Sequence, residues 1–357
     1  MKAPLFSLLA LALICLQPAA QGQDALPYGT LVELDQRPGN PAVGPDGTVY
    51  FSMHPMDGPE FKIMRLEDDG QSAPYPSAEF SRSLGAVIGV FVTRDGVLWM
   101  LDMGSPETNA KLVGWSTVTD TLHAVHYLPN EVSVGNSFHQ DFAIDEVRGR
   151  AFIADMSRGD MVGESLPAIV VIDLNTGETR RVLQGVAALQ PKDDPVANVD
   201  GNPMTFTGAD GVTTPLRLGL NPIGIDQANR YVYFSTITPG PMYRIDAALL
   251  GDFDASDKQL AAAIEEVGPK PTSDGIAVDG DTVYITNLEA NAITALHDGK
   301  LHHVAQHETM SWPDGVAVAP DGSLIVTINQ LHKVPPFNGG TDGGEPPFMV
   351  VRIAAPE

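Results

Sequence analysis

"SWPDGVAVAPDGSLIVTINQL", residues 311–331, decides how the rest of the chain is read. Two apolar segments, GVAVA and SLIVTI, are split by a Pro-Asp-Gly turn, in which Gly supplies the positive φ that a tight hairpin needs. An acid, Asp314, stands at the start of the first segment and an amide, Asn329, at the end of the second. The pattern occurs five more times, as "GNPAVGPDGTVYFSM" (39–53), "VIGVFVTRDGVLWMLD" (87–102), "DFAIDEVRGRAFIAD" (141–155), "NPIGIDQANRYVYFST" (221–236) and "SDGIAVDGDTVYITN" (273–287).

Each hairpin is followed by a third apolar strand, for example "FKIMRLED" (61–68), "MYRIDAAL" (242–249) and "FMVVRIAA" (348–355). Several run through a further turn, at Thr119-Asp120, Asn175-Thr176-Gly177 or Asp298-Gly299, into a fourth strand. Four antiparallel strands repeated every 40–55 residues or so predict blades of a β-propeller, each burying its faces against its neighbours. The fold class is therefore all-β, a six-bladed β-propeller. "TLVELDQ" (30–36) has no partner of its own and "FMVVRIAA" lacks an outer neighbour, so pairing of N- and C-terminal strands is expected to close the ring and remove the exposed edge. The wide gap between the third and fourth units, "QPKDDPVANVDGNPMTFTGADGV" (190–212), reads as a polar loop, and "SDKQLAAAIEEVG" (256–268) as a helix capped by Ser256 or Asp257 and stopped by Gly268, inserted outside a blade.

The chain has 357 residues, 43% apolar and 18% charged, enough for a large core. Its formal net charge of −24 disfavours nucleic acid and anionic membrane surfaces, keeps the protein soluble, and favours cationic ligands. "MKAPLFSLLALALICLQPAAQGQ" (1–23), with Lys2 before an apolar run to Leu16, reads as a secretory signal peptide over residues 1–22, too short to serve as a membrane anchor. Residues 23–357 then form one propeller domain of a secreted or periplasmic protein, expected to be a monomer without stable membrane insertion. The single cysteine, Cys15, lies inside the signal and follows Ile14, which argues for cleavage rather than lipid attachment. The mature chain is left with no thiol and no disulfide.

"VLWMLDMG" (97–104), "KLVGWSTVTDTLHAVHYLP" (111–129), "AIVVIDLNTGETRRVL" (168–183) and the Trp-Pro-Asp and Asn-x-Leu ends of residues 311–331 resemble the yellow/major royal jelly protein family over essentially the whole mature chain. The resemblance implies a six-bladed extracytoplasmic propeller with a ligand pocket at one mouth of its central channel. Members of that family include amine-binding salivary proteins, structural royal jelly proteins and proteins linked to dopachrome tautomerisation, so fold alone does not fix function. A more distant resemblance is to the gluconolactonase/regucalcin group of metal-dependent hydrolases, whose metal is held by a Glu, two amides and an Asp. Those ligands fall here on Asn40, Gln140, Ile223 (with Asn221 two residues earlier) and Asp274. Only the Asp is kept. A divalent cation such as calcium, which wants roughly six to eight oxygens, would need a revised shell of Asp274 with Asp141 and Asp314.

The innermost strands of a propeller line its channel. Aligned on their turns, the repeats put Asp141, Asp274 and Asp314 in one ring, with Asn40 one step along and Asn221 nearby. Three converging carboxylates repel one another unless a cation, hydrogen-bond donors or a bound proton relieves them. Each Asp can equally cap loop N–H groups, a common reason for such residues to recur in repeat folds. His139 in "FHQDF", beside a ring Asp such as Asp141, is the candidate for proton transfer, and His54 in "FSMHP" a second. His302 and His303 point to opposite faces of one strand and make a poor chelating pair. No Gly-rich phosphate loop, G-x-S-x-G elbow or HExxH is present.

Three functions remain open. The first is binding of a small cationic, aromatic or polyhydroxy molecule by Asn40, His139, Gln140, Asp141, Asn221, Asp274 and Asp314, with tautomerase-like proton transfer by His139 and Asp141. The second is a metal-dependent lactonase or esterase, and the third a non-catalytic scaffold.

Overall fold

Six short turns set the architecture. Each carries one residue at positive φ, namely Gly47, Gly96, Gly149, Asn229, Gly280 and Gly322, and each joins the two innermost strands of one blade. The computed structural model describes residues 28–105, 107–159, 161, 163–192 and 196–356. The proposed signal peptide and Cys15 lie outside the described residues.

The chain forms a six-bladed β-propeller of four-stranded antiparallel sheets. The first blade consists of Pro38–Val43, Val49–Met53, Ile63–Leu66 and Ser72–Pro74. The second consists of Val87–Val92, Val97–Asp102, Lys111–Ser116 and Thr121–Tyr127, and the third of His139–Asp145, Arg150–Asp155, Ala168–Asp173 and Thr179–Val182. Leu220–Ile225, Tyr231–Thr236, Gly240–Asp246 and Glu265–Lys270 make the fourth, and Ile276–Asp279, Thr282–Asn287, Ala292–His297 and Lys300–Gln306 the fifth. The last blade takes Pro313–Val318, Leu324–Ile328 and Phe348–Ile353 from the C-terminal part and Tyr28–Leu34 from the N-terminal part. Tyr28↔Ile353 through Leu34↔Phe348 is the closing ladder. All six hairpins and the closure stand where the sequence places them.

The core follows from this geometry. One apolar cluster fills each seam between adjacent blades, for example Phe142, Ile144, Ile153 and Val170 against Trp99, Leu101 and Leu112 between the second and third. The seam between the last and first blades joins Val350 and Ile325 to Phe51 and Val49. Inner strands such as Val49–Met53, Val97–Asp102 and His139–Asp145 are buried on both faces, which is why those segments read as nearly continuous apolar runs, while outer strands such as Thr121–Tyr127 are largely exposed. Buried acids at the ends of second strands tie the ring to its loops. Asp102 accepts N–H groups of Gly85, Ala86 and Gly104 and pairs with Lys111 at 2.7 Å, while Asp155 pairs with Arg181.

Two sequence expectations change. The helix spans only Asp257–Ala262, with Ser256 and Gln259 forming a capping box, and Glu265–Lys270 is the outer strand of the fourth blade. Hydrogen bonding to the neighbouring strand overrides the helical propensity of the Ala- and Glu-rich run. The gap at 190–212 is more than a loop. It contributes two small hairpins, Asn198–Val199 with Asn202–Pro203 and Thr205–Thr207 with Thr213–Pro215. Val199 and Met204 from this segment and Leu216 and Leu218 just after it pack against Trp312, Leu331, Val334 and Phe337, forming an apolar roof over one end of the channel.

Candidate functional site

The innermost strands begin with a defect. Pro38 pairs with Met53 but Pro41 with Phe51, and the same one-residue slip separates Val87 from Val90, His139 from Asp141, Leu220 from Ile223 and Pro313 from Val316. These β-bulges bend the start of the strand toward the axis and re-aim its side chains. They also correct the expected ring. Gln140, Asn221, Asp274 and Asp314 share one position, and Asn40 and Asp141 share the next. Counting back from the turns misplaces Asp141 because the turns differ in length, Glu146–Gly149 in the third blade against Gly280–Asp281 in the fifth.

The acids nevertheless converge. Asp141, Asp274 and Asp314 are 9%, 5% and 1% exposed, and Asp314 feels the charge of both others. Asp274 Oδ1 accepts from Asn221 Nδ2 at 2.6 Å and Oδ2 from Trp312 Nε1 at 2.8 Å. Asp314 lies against the Asp274 carboxyl and feels its charge, and its Oδ2 accepts from Asn329 Nδ2. Asn329 Nδ2 also donates to the Pro38 carbonyl at 3.0 Å. Burial raises both carboxyls, Asp314 well above the usual range because the Asp274 charge adds to it. Asp141 accepts from the Phe142 N–H at 2.8 Å and from the Asn40 side chain, yet burial pushes it up to about 8.

Lys270, 3% exposed, lies under the roof and donates to the Pro271 carbonyl at 2.5 Å. Burial lowers it to about 7 against the opposing pull of Asp274 and Glu289.

On the side of the ring away from the roof, a cavity of about 580 Å³ runs along the axis to the six turns. Its inner end is formed by Asn40, Asp141, Gly275 and Gly315, and its walls by residues such as Val90, Phe142, Ile223, Ile276 and Val316. Glycine is required at that end. A Cβ on Gly275 would stand 2.6 Å from the Asp314 carbonyl oxygen, and one on Gly315 2.5 Å from Pro41 Cδ. At the rim, Arg94 reaches Glu146 across two blades at 3.3 Å, and Gln227 donates to Asp279 at 2.8 Å. The open mouth is thus at the turns, while Asp274 and Asp314 lie deeper, below the roof.

The two histidines do other work. His139 Nε2 meets Ser133 Oγ at 2.9 Å, Nδ1 has no partner, and the charges acting on the ring are those of Asp155 and Arg181. The expected pairing of His139 with Asp141 is not formed, because the bulge between them sends the two side chains apart. His54 caps a short 3₁₀ turn by accepting from the Met56 N–H at 3.3 Å, and burial lowers it to about 4. Trp312, Asn329 and Lys270 escaped the sequence reading. The first two stood at the ends of the opening hairpin, and their role as hydrogen-bond donors to the acids has no sequence signature.

The donor set does not suit a divalent cation. Among the described residues no group of three or more His, Cys, Asp or Glu is disposed to hold a metal ion. The N–H groups of Asn221, Trp312 and Asn329 point at the oxygens a cation would need, and Asn221 Oδ1 is left buried without a partner.

Comparison with known proteins agrees with the fold. The family model described as Major royal jelly protein matches residues 86–338. No curated protein matches the chain. Among solved structures, a gluconolactonase from Xanthomonas campestris is similar at 11% identity and a TM-score of 0.56, over 92% of this chain and 89% of that one. A calcium-binding regucalcin from Agrobacterium tumefaciens is similar at 14% identity and a TM-score of 0.56, over 93% and 94%. A luciferin-regenerating enzyme follows at 12% identity and a TM-score of 0.54, over 93% and 96%. At such identities the likeness concerns the fold alone. Among the described residues no helix is long and apolar enough to cross a membrane.

Proposed function

Because the chain belongs to the major royal jelly protein family, we propose that it is a small-molecule binder whose ligand occupies the axial cavity. The ligand enters at the six turns, lays an apolar or aromatic body along the Val, Ile and Phe walls, and presents an ammonium or hydroxyl head to Asn40 and Asp141. The observation that carries this reading is the cavity of about 580 Å³, walled by Val, Ile and Phe side chains, polar at its mouth through Arg94, Glu146, Gln227 and Asp279, and ending on Asn40 and Asp141. That size and lining are typical of pockets that enclose a drug-sized molecule. A buried carboxyl raised to about 8 can donate to a neutral head or give up its proton to meet a cation, so Asp141 suits both head groups. It is the titratable group at the inner end of the cavity, and a tautomerase-like reaction there would run through Asp141 without His139. The net charge of −24 favours approach of a cation. The apolar leader at residues 1–22 supports action outside the cytoplasm.

Thermal unfolding against a panel of aromatic amines, phenols and polyols tests the reading. At least one class should raise Tm for the wild type, and Asp141→Ala should lose that shift. A panel without effect, or a shift untouched in Asp141→Ala, would sink it.

A further inference from the structure

We propose that Asp274 and Asp314 form a metal-free brace that shares a single proton, with Asp314 as the acid and Asp274 as the carboxylate, and that this brace closes the ring at its axis. The argument rests on where hydrogens must be. Trp312 Nε1 can only donate, and it points at Asp274 Oδ2 at 2.8 Å. Asn221 Nδ2 points at Oδ1 at 2.6 Å. Turning that amide over would set oxygen against carboxylate oxygen. Asn329 is oriented by its own neighbours, since its Oδ1 accepts from the Leu331 N–H at 3.0 Å and its Nδ2 donates to the Pro38 carbonyl at 3.0 Å. Its Nδ2 therefore also donates to Asp314 Oδ2.

Asp274 already accepts on both oxygens, so toward the adjacent Asp314 carboxyl it acts as the acceptor as well. A contact between two carboxyls needs a hydrogen, and the geometry assigns it to Asp314, which receives one N–H donor where Asp274 receives two. A cation in the same place would face three N–H donors. Two bare carboxylates there would repel each other without water to screen them.

The brace links parts of the chain far apart in sequence. It runs from Asn221 in the fourth blade to Asp274 in the fifth, then to Trp312, Asp314 and Asn329 in the sixth, and ends on Pro38 in the first. Thr286 Oγ1 receives the N–H groups of Asp274 and Gly275, and Thr327 Oγ1 receives that of Gly315, so both acidic strand starts are held from behind. The ring therefore has two closures, the paired terminal strands at its rim and this brace at its centre. Neither depends on what fills the cavity.

Two isosteric substitutions separate the two acids. Asp314→Asn keeps a donor toward Asp274 and an acceptor toward Asn329, whereas Asp274→Asn turns an N–H against Trp312 or Asn221. Thermal unfolding should put Asp314→Asn within about 2 °C of the wild type and Asp274→Asn lower by about 5 °C or more, down to failure to fold. Added calcium after EDTA treatment should move neither the wild type nor Asp314→Asn. In infrared difference spectra recorded in an Asp141→Asn background, which removes the other buried protonated carboxyl, the parent should show a protonated-carboxyl C=O band that Asp314→Asn lacks. Equal losses in the two variants, failure of both to fold, a calcium-induced rise in wild-type Tm, or persistence of that band in Asp314→Asn would each overturn the assignment.

Discussion

Replacing Asp141 by asparagine should stabilise the protein at neutral and alkaline pH and do almost nothing in acid. In the folded chain burial raises this carboxyl from 3.8 to about 8, so folding favours its protonated form. The stability tied to that proton is fully present below the unfolded pKa and is lost as pH climbs toward the folded one. A shift of about 4 units corresponds to at most ~6 kcal/mol above pH ~8, and to ~4 kcal/mol near pH 7. Water entering the open cavity lowers both figures. Asparagine is never charged, and its oxygen can still accept from the Phe142 N–H, the bond made at 2.8 Å in the wild type. Urea unfolding of both proteins across this pH range measures the gap directly, because equal m-values leave the midpoints as the only difference. The gap should be near zero around pH ~4 and widen with each step upward. A gap that stays constant with pH, or narrows, would refute the burial argument for Asp141.

Two further outcomes follow from buried charges elsewhere. His54, lowered from 6.5 to about 4 by burial, holds the protein's stability above the first value and loses it as pH falls toward the second, by up to ~3 kcal/mol. His54→Asn keeps a capping acceptor for the Met56 N–H and should remove that acid limb from urea midpoints measured against pH. Arg37, 2% exposed, pairs with Asp57 at 2.6 Å and with Asp342 at 2.7 Å and lies over the Phe348 ring. Arg37→Met should cost ~3 kcal/mol or more in chemical unfolding by stranding Asp57. Asp342→Ala, at an exposed partner, should cost under ~1 kcal/mol yet still speed proteolysis within residues 338–347.

The propeller was legible because its signals are local. An Asp-Gly turn between two runs of Val, Ile, Tyr and Phe dictates a hairpin wherever it occurs, and the unpaired strands at residues 30–36 and 348–355 could satisfy their edges only with each other. The roof was not legible. Val199, Met204, Leu216 and Leu218 stand singly among Gly, Asp and Thr, on strands of two or three residues, too short to show any period. The strand Glu265–Lys270 followed an Ala-rich helix without a breaker, so its pairing with Gly240–Arg244 could come only from tertiary context. The site fell between these cases. The recurrence of acids and amides at strand starts marks Asn40, Asn221, Asp274 and Asp314, and the hydrolase resemblance adds Gln140, but the bulges that set which oxygen faces which N–H leave no mark on residue type. Asp141 therefore looked like a third member of one ring, when it belongs with Asn40 at the end of the cavity.

The most direct test of the central claim is a calorimetric titration of the best stabilising amine or phenol into the purified chain. One molecule should bind per chain in the wild type, and Asp141→Ala should show no saturable heat. Saturable binding of equal affinity in both proteins would place the ligand somewhere other than the axial cavity.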